Sequence, residues 1–123
     1  MEKIKINLNL KNSKENLSKT IIGHKRGNKL HFLDDDVKVT ITVEEIITMR
    51  RVSNEYEIIL KFKEGEIKSG IYNLKKLNYN LPIDIKTNNL YIDSGQIKVD
   101  YELTSDGVKM DRFLFELNYE VIE

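Results

Sequence analysis

The sequence contains no cysteine and no alanine, a single proline and two histidines. Without cysteine there is no disulfide framework, no thiolate nucleophile and no zinc site built on sulfur. A domain of this kind stands on its hydrophobic core alone. Without alanine, the best helix former is missing, while isoleucine, a strand former, is abundant. Charge of either sign is not in excess: 20 Lys and Arg balance 20 Asp and Glu. This excludes functions that need a strong basic field, such as holding duplex DNA, so no nucleic-acid partner is expected. No apolar run approaches the ~18 residues of a membrane-spanning helix. The first residues, Met1 to Asn7, alternate charged and apolar side chains and lack the continuous apolar stretch of a signal peptide. A cytoplasmic location and no membrane partner are expected by default. Residues 1–123 suit a single domain with one core.

What the chain does have is alternation with period two, the pattern of strands with one buried face. Ile4, Ile6, Leu8 and Leu10 form one such set, and Val37, Val39, Ile41 and Val43 a second. Tyr56, Ile58, Leu60 and Phe62 form a third, and Ile97, Val99, Tyr101 and Leu103 a fourth. Phe113, Phe115, Leu117, Tyr119 and Val121 form the longest. No helical stripe of eleven or more residues appears; Asn12–Leu17 and Leu74–Asn80 have room for one short helical turn each. Turn signals recur between the runs, which suggests an all-β meander, sandwich or barrel, and a single closed or nearly closed antiparallel barrel of about 8–10 strands is the expectation.

The turns make register predictions. Gly27-Asn28 suits a type II′ turn, and Asp106-Gly107 a type I′ turn. A hairpin at Glu64-Gly65 places Phe62 opposite Ile67 and Ile58 opposite Ile71. Pro82 has no N–H for a ladder and belongs at a strand start or an edge. In the last hairpin, Leu103 pairs with Met110, and unbroken pairing then puts Phe113 and Phe115 on the wrong face. One extra residue near Asp111-Arg112 restores Tyr101 opposite Phe113, Val99 opposite Phe115 and Ile97 opposite Leu117. A β-bulge is therefore expected at Asp111-Arg112.

The runs "IIGHKRGNKLHF", "VKVTITVEEIITMRR", "SGIYNLKKLNYNLPIDIKTNNL" and "GQIKVDYEL" follow one another in an order that resembles the YwiB-like family of bacterial β-barrels, of calycin or lipocalin-like architecture. The resemblance spans nearly the whole chain and is anchored at Gly23, Arg50, Tyr72, Thr87, Gly95 and Tyr101. The chain departs from the family pattern where Arg51-Val52 follow Arg50 and where Asn78-Tyr79-Asn80 stand. The resemblance implies a fold; no activity is established for the family, and it implies no catalytic residues.

The candidates for chemistry are few. His24 and His31 become cross-strand neighbours if Gly27-Asn28 is a two-residue turn, and such a pair can chelate a metal. Zinc needs three or four protein ligands, however, and no third is specified nearby, so two surface histidines are the simpler reading. Asp34-Asp35-Asp36 lacks the spacing of a calcium loop and reads as a solvated turn. Arg50 and Arg51 follow an apolar strand, and adjacent strand residues face opposite ways, so one of them points inward. A tight turn at Ser53-Asn54 pairs Met49 with Ile58 and sends Arg51 inward; a loop one residue longer sends Arg50. An inward arginine could hold an anionic group or could cap the barrel end. Tyr72, Tyr79, Tyr91 and Tyr101 could line a pocket or fill the core.

No nucleophile elbow, phosphate-cradling loop or dinucleotide fingerprint occurs, and no cofactor or catalytic residue is assigned. The inward sets are bulky, which predicts a narrow, partly filled interior with at most a modest pocket at one mouth. The expected function is a non-enzymatic binding module for a small apolar or amphipathic ligand, with Arg50, Arg51, Tyr72, Thr87 and Tyr101 as candidate binding residues. The alternative is a protein-interaction module or homodimer, because Ile21-Ile22, Ile46-Ile47 and Ile58-Ile59 each turn one isoleucine outward.

Overall fold

A computed structural model describes all residues, Met1–Glu123. Ten strands run in chain order: β1 (Glu2–Lys11), β2 (Asn16–Arg26), β3 (Lys29–Asp34), β4 (Val37–Thr42) and β5 (Ile47–Val52) form the first half. β6 (Tyr56–Phe62), β7 (Ile67–Leu74), β8 (Tyr79–Asp93), β9 (Gln96–Ser105) and β10 (Val108–Val121) form the second. Each strand pairs antiparallel with the next, and β10 pairs with β1, closing the barrel. Closure leaves the sheet without outer edge strands. The only helical turn is Lys75–Leu77, inside the Leu74–Asn80 window; the Asn12–Leu17 window holds a loop and the start of β2.

The alternating sets become the inner wall. Ile4, Ile6, Val39, Ile41, Phe62, Ile85 and Leu117 lose all solvent exposure. The rings of Phe62 and Tyr101 lie 4.8 Å apart, and Tyr101 stacks on Phe113 at 5.1 Å. These three rings come from β6, β9 and β10, so the aromatic stack ties together distant parts of the wall. The interior is filled by side chains, as their bulk predicts. Thr87 is the one buried polar residue, and its Oγ1 has no hydrogen-bond partner. A buried orphan hydroxyl is destabilising by ~1–3 kcal/mol. Thr87→Val is therefore expected to raise stability by about 1 kcal/mol, read as a higher urea midpoint. A lower midpoint would mean that the hydroxyl is satisfied.

Several register expectations hold. Asp106 and Gly107 both take positive φ, 50° and 76°, as a type I′ turn requires. His24 lies opposite His31 across the Gly27-Asn28 turn, where Gly27 has φ 59°. Tyr101 faces Phe113, Val99 faces Phe115, and Ile97 faces Leu117. Pro82 pairs with Ile71 on one side only, since β8 meets β9 from Asp84 onward; it sits at a local edge.

Others need correction. The bulge falls between Lys109 and Asp111, one position earlier than Asp111-Arg112, so that Met110 is the extra residue and Leu103 faces Asp111. The earlier position leaves Asp111 and Arg112 free for other partners: Ser13 Oγ donates to Asp111 Oδ2 at 2.9 Å, and Arg112 forks onto both oxygens of Asp100. In the hairpin around Gly65, Ile58 faces Tyr72 and Ile59 faces Ile71, a one-residue shift from the expected register. That shift turns Tyr72 inward and Ile71 outward. The pairing also ends there, and Phe62 is not opposite Ile67. Instead the backbones of Gly65 and Glu66 bond to Thr87 of β8. Finally, Met49 faces Leu60 and Arg51 faces Ile58, so the turn after Val52 is longer than Ser53-Asn54 alone.

The barrel has two seams. β2 pairs with β3 only over Lys25, His24 and Arg26 against Leu30, His31 and Lys29. β6 pairs with β7 only from Tyr56 to Ile59. In each case the ladder stops beside a glycine on the inner face, Gly23 or Gly70. A Cβ on Gly23 would lie 2.5 Å from the His31 carbonyl oxygen, and one on Gly70 would collide with the Ile59 carbonyl. These glycines let the strands cross closely and then diverge.

Candidate functional site

The chain termini and the turns after β2, β4, β6 and β8 mark one end of the barrel; the turns after β1, β3, β5, β7 and β9 mark the other. The candidate site lies at this second end. There the inward phase of β2 runs Leu17, Lys19, Ile21, Gly23, and the inward phase of β3 runs Leu30, Phe32, Asp34. On β5 it runs Ile47, Met49, Arg51. The barrel thus brings three charged side chains to its inner face. Lys19 Nζ is 2.6 Å from Asp34 Oδ1 and 3.0 Å from Asp35 Oδ2, and Arg51 Nη2 is 3.1 Å from Asp34 Oδ2. The Asp34 and Arg51 side chains keep 17% and 25% of their exposure, so water reaches them only in part.

Burial pushes the Asp34 carboxyl upward, but hydrogen bonds from Lys19 and Arg51 outweigh it and hold the carboxyl below its ordinary value. Such a carboxylate stabilises the fold above the ordinary carboxylate pKa, and that contribution is lost as pH falls through the lowered value. Arg51→Met weakens the hold on Asp34. The acid unfolding midpoint, followed by circular dichroism, is expected to move to higher pH. Arg50→Met, which leaves Asp34 untouched, should not move it; equal shifts for both variants would contradict the role given to Arg51.

Tyr101 is 5% exposed, and its inward ring carries a hydroxyl that no protein group bonds. Burial raises its pKa strongly, and the nearby charge of Arg51 offsets this in part. Its oxygen is nevertheless not sealed, for Thr87 Oγ1 is the sole enclosed side-chain atom without a partner. Half-buried apolar side chains on the strand segments toward this end, Leu8, Leu10, Tyr56, Ile58, Tyr72 and Phe113, pack against the core. Tyr56 and Tyr72 meet edge to face at 5.9 Å.

Of the residues singled out from the sequence, Arg51, Tyr72 and Tyr101 therefore share the inner face toward this end. Thr87 pairs with Tyr101 but is fully enclosed. Arg50 points outward, where its Nε donates to Glu57 Oε2 at 2.5 Å. Tyr79 and Tyr91 are half exposed on the outside. His24 and His31 lie together on the outer face, where His31 Nδ1 is 3.2 Å from Thr40 Oγ1; no group of three metal-ligating side chains is present anywhere. Lys19 was missed in the sequence, and Asp34, read there as part of a solvated turn, instead ends β3 with its side chain largely covered. The signal was available, since each is a charge in the apolar phase of its strand.

The cavities sit elsewhere. A pocket of about 180 Å³ opens at the opposite end, between Leu30, Val43, Ile92, Ile97 and Tyr119. This is the modest mouth pocket expected, on the side away from Arg51. A shallow depression of about 370 Å³ crosses the outer wall between Asn9, Tyr91 and Leu114. Another, of about 400 Å³, overlies the β2–β3 seam between Ile22, Phe32 and Leu33. None of the five principal pockets is lined by Arg51, Tyr72, Thr87 or Tyr101.

The profile of a protein family described as "Domain of unknown function (DUF1934)" matches residues 27–117, well over half of the chain. The chain belongs to this family. Asp34, Arg51, Tyr72, Thr87 and Tyr101 fall inside the matched segment of this DUF1934 domain, and Lys19 precedes it. Among solved structures, the chain is similar to the ywiB protein from Bacillus subtilis, with a TM-score of 0.60 at 13% identity, covering 98% of this chain and 91% of that one. That likeness supports the barrel and the YwiB-like family resemblance; at this identity it shows a fold. No curated protein matches. No helix is long and apolar enough to cross a membrane.

Proposed function

We propose that this domain is a non-enzymatic binding module for a small amphipathic molecule, held at the barrel end that carries Arg51. One observation carries the reading: charged and hydrogen-bonding side chains project into an otherwise apolar interior. Inward charges are unfavourable unless paired and hydrogen-bonded. Arg51 is satisfied only in part and Tyr101 keeps a free hydroxyl, and half-buried apolar side chains occupy the same end of the inner wall. An apolar surround with a few convergent polar groups is the ordinary make-up of a small-molecule site. The lipocalin-like architecture that the family resemblance implies adds an analogy of fold.

The reading is tested by titrating the ¹⁵N-labelled protein with decanoate, 1-decanol and decylamine. Binding of at least one, with shifts concentrated at Arg51, Tyr101 and Phe113, is the expected result. Shifts confined to the Leu30–Tyr119 pocket, or no binding of any compound, would overturn it.

Pairing of two copies is the second reading. It rests on Ile22 and Leu33, 50% and 58% exposed beside the open stretch of β2. The outward isoleucines do not gather into one patch: Ile22 borders the β2–β3 seam, while Ile59 faces Ile71 across β6 and β7. Native mass spectrometry of the purified protein distinguishes a dimer from a monomer with retained ligand.

A further inference from the structure

The polar groups at the Arg51 end already enclose an anion, and it belongs to the protein. Asp34 places Oδ1 on Lys19 and Oδ2 on Arg51, so both carboxylate oxygens lie between two inward cations. Of the five N–H donors of its guanidinium, Arg51 gives this carboxylate one, from Nη2. Tyr101, 5% exposed as a residue, lies on the same inner face, close enough to feel the Arg51 charge, and its hydroxyl bonds no protein group. These donors outnumber what Asp34 can accept.

Asp34 is also placed so that it can leave. It is the last residue of β3 and enters an exposed two-residue turn in which Asp35 takes φ 58°. Lys19 has Asp35 as a second counter-ion at 3.0 Å, so it stays paired when Asp34 moves. Beyond His24 and His31 the β2–β3 ladder is absent, and the Lys19 bonds to Asp34 and Asp35 are the side-chain hydrogen bonds that span the open stretch.

We propose that Asp34 is an internal stand-in for the carboxylate of an amphipathic monoanion: the ligand's head group displaces it from Arg51, and the Tyr101 hydroxyl completes the anion's shell. The ligand is an anion because the groups that would face its head once Asp34 has moved away, Arg51, Lys19 and the Tyr101 hydroxyl, can all donate to it. No principal pocket is lined by Arg51 or Tyr101, so the tail enters by parting Leu8, Leu10, Tyr56, Tyr72 and Phe113, which pack against the core. Release of Asp34 removes one of the two ties across the β2–β3 seam, so binding loosens that seam. This inference rests on the binding reading above and specifies its ligand.

The test compares the full-length wild type with Asp34→Asn and Asp35→Asn, titrated with decanoate and 1-decanol. Removing the competing carboxylate is expected to tighten decanoate about tenfold in Asp34→Asn and to leave decanol unchanged. Asp35→Asn, whose carboxylate does not touch Arg51, should change decanoate far less. In the wild type, decanoate should shift the Asp34 ¹³Cγ resonance and speed amide exchange in residues 17–22, a readout that needs no variant. If the wild type binds these compounds at this end but Asp34→Asn does not bind decanoate more tightly, or the Asp34 resonance stays fixed, the stand-in is overturned and the binding reading survives. If the wild type binds neither, both fall.

Discussion

Replacing Phe62 by alanine is expected to destabilise the protein by about 3–5 kcal/mol, a large share of the 5–15 kcal/mol typical of a domain. Phe62 is fully enclosed at the end of β6, and its ring lies 4.8 Å from that of Tyr101, which in turn stacks on Phe113. Truncation removes the buried ring and opens a cavity beside Tyr101. The inner wall cannot collapse into that space easily, because neighbouring strands are held at fixed spacing by the ladders. Urea unfolding followed by circular dichroism measures the loss. Because Phe113 still stacks on Tyr101, the barrel should remain folded. A loss below about 1 kcal/mol would mean that the ring stack is not part of the core.

Gly23→Ala is expected to have the next largest effect, about 2–3 kcal/mol of lost stability, in the upper range for overpacking. The new Cβ would sit 2.5 Å from the His31 carbonyl oxygen, 2.9 Å from Ile6 Cδ1 and 3.0 Å from Phe32 Cβ. Two of these obstacles, the carbonyl and a Cβ, cannot rotate away. The strand must shift, and the short ladder at His24–His31 is the structure that yields. Gly27→Ala supplies the contrast. Nothing lies within 4 Å of a Cβ there, and the only penalty is the φ of 59°, roughly 1 kcal/mol. Equal losses for the two variants would contradict a steric role for Gly23. Amide exchange adds a spatial test: Gly23→Ala should expose His24 and His31, while Gly27→Ala should not.

Much of the barrel was readable from local pattern. The sets from Ile4 to Leu10 and from Phe113 to Val121 face inward because a strand has period two and one face is buried. The need for a bulge followed from phase alone, because Phe113 and Phe115 had to share a face with Tyr101 and Val99. Its position did not follow. Whether Met110 or Asp111 is the extra residue depends on where Ser13, Asp100 and Glu102 stand, and two of these lie on the neighbouring strand β9. The register of β6 and β7 was missed for a similar reason. The Gly65 region bonds to Thr87 on β8, so a third strand decides a hairpin that looks local.

The site divides in the same way. That one of Arg50 and Arg51 points inward was dictated by strand alternation, and Tyr72 and Tyr101 could be named as candidates beside it. That Arg51 is the inward one was settled by the pairing of β5 with β6, which sets Arg51 opposite Ile58. Lys19 was hidden among the polar residues near the start of β2, and Asp34 among three consecutive aspartates. Their encounter with Arg51 joins residues 15 and 17 positions apart, across the open β2–β3 seam and diagonally over β4, a spacing that only the folded sheet defines.

The sequence by itself determined an all-β chain, the phase of its principal apolar strands, the two primed turns and a filled interior, because these depend on side-chain size, chirality and a two-residue repeat. Only the tertiary structure decided the ten-strand closure, the seams beside Gly23 and Gly70, and the meeting of Lys19, Asp34 and Arg51. Those features arise where separate strands meet, and a charge on one strand carries no local sign of the counter-ion that another strand brings to it.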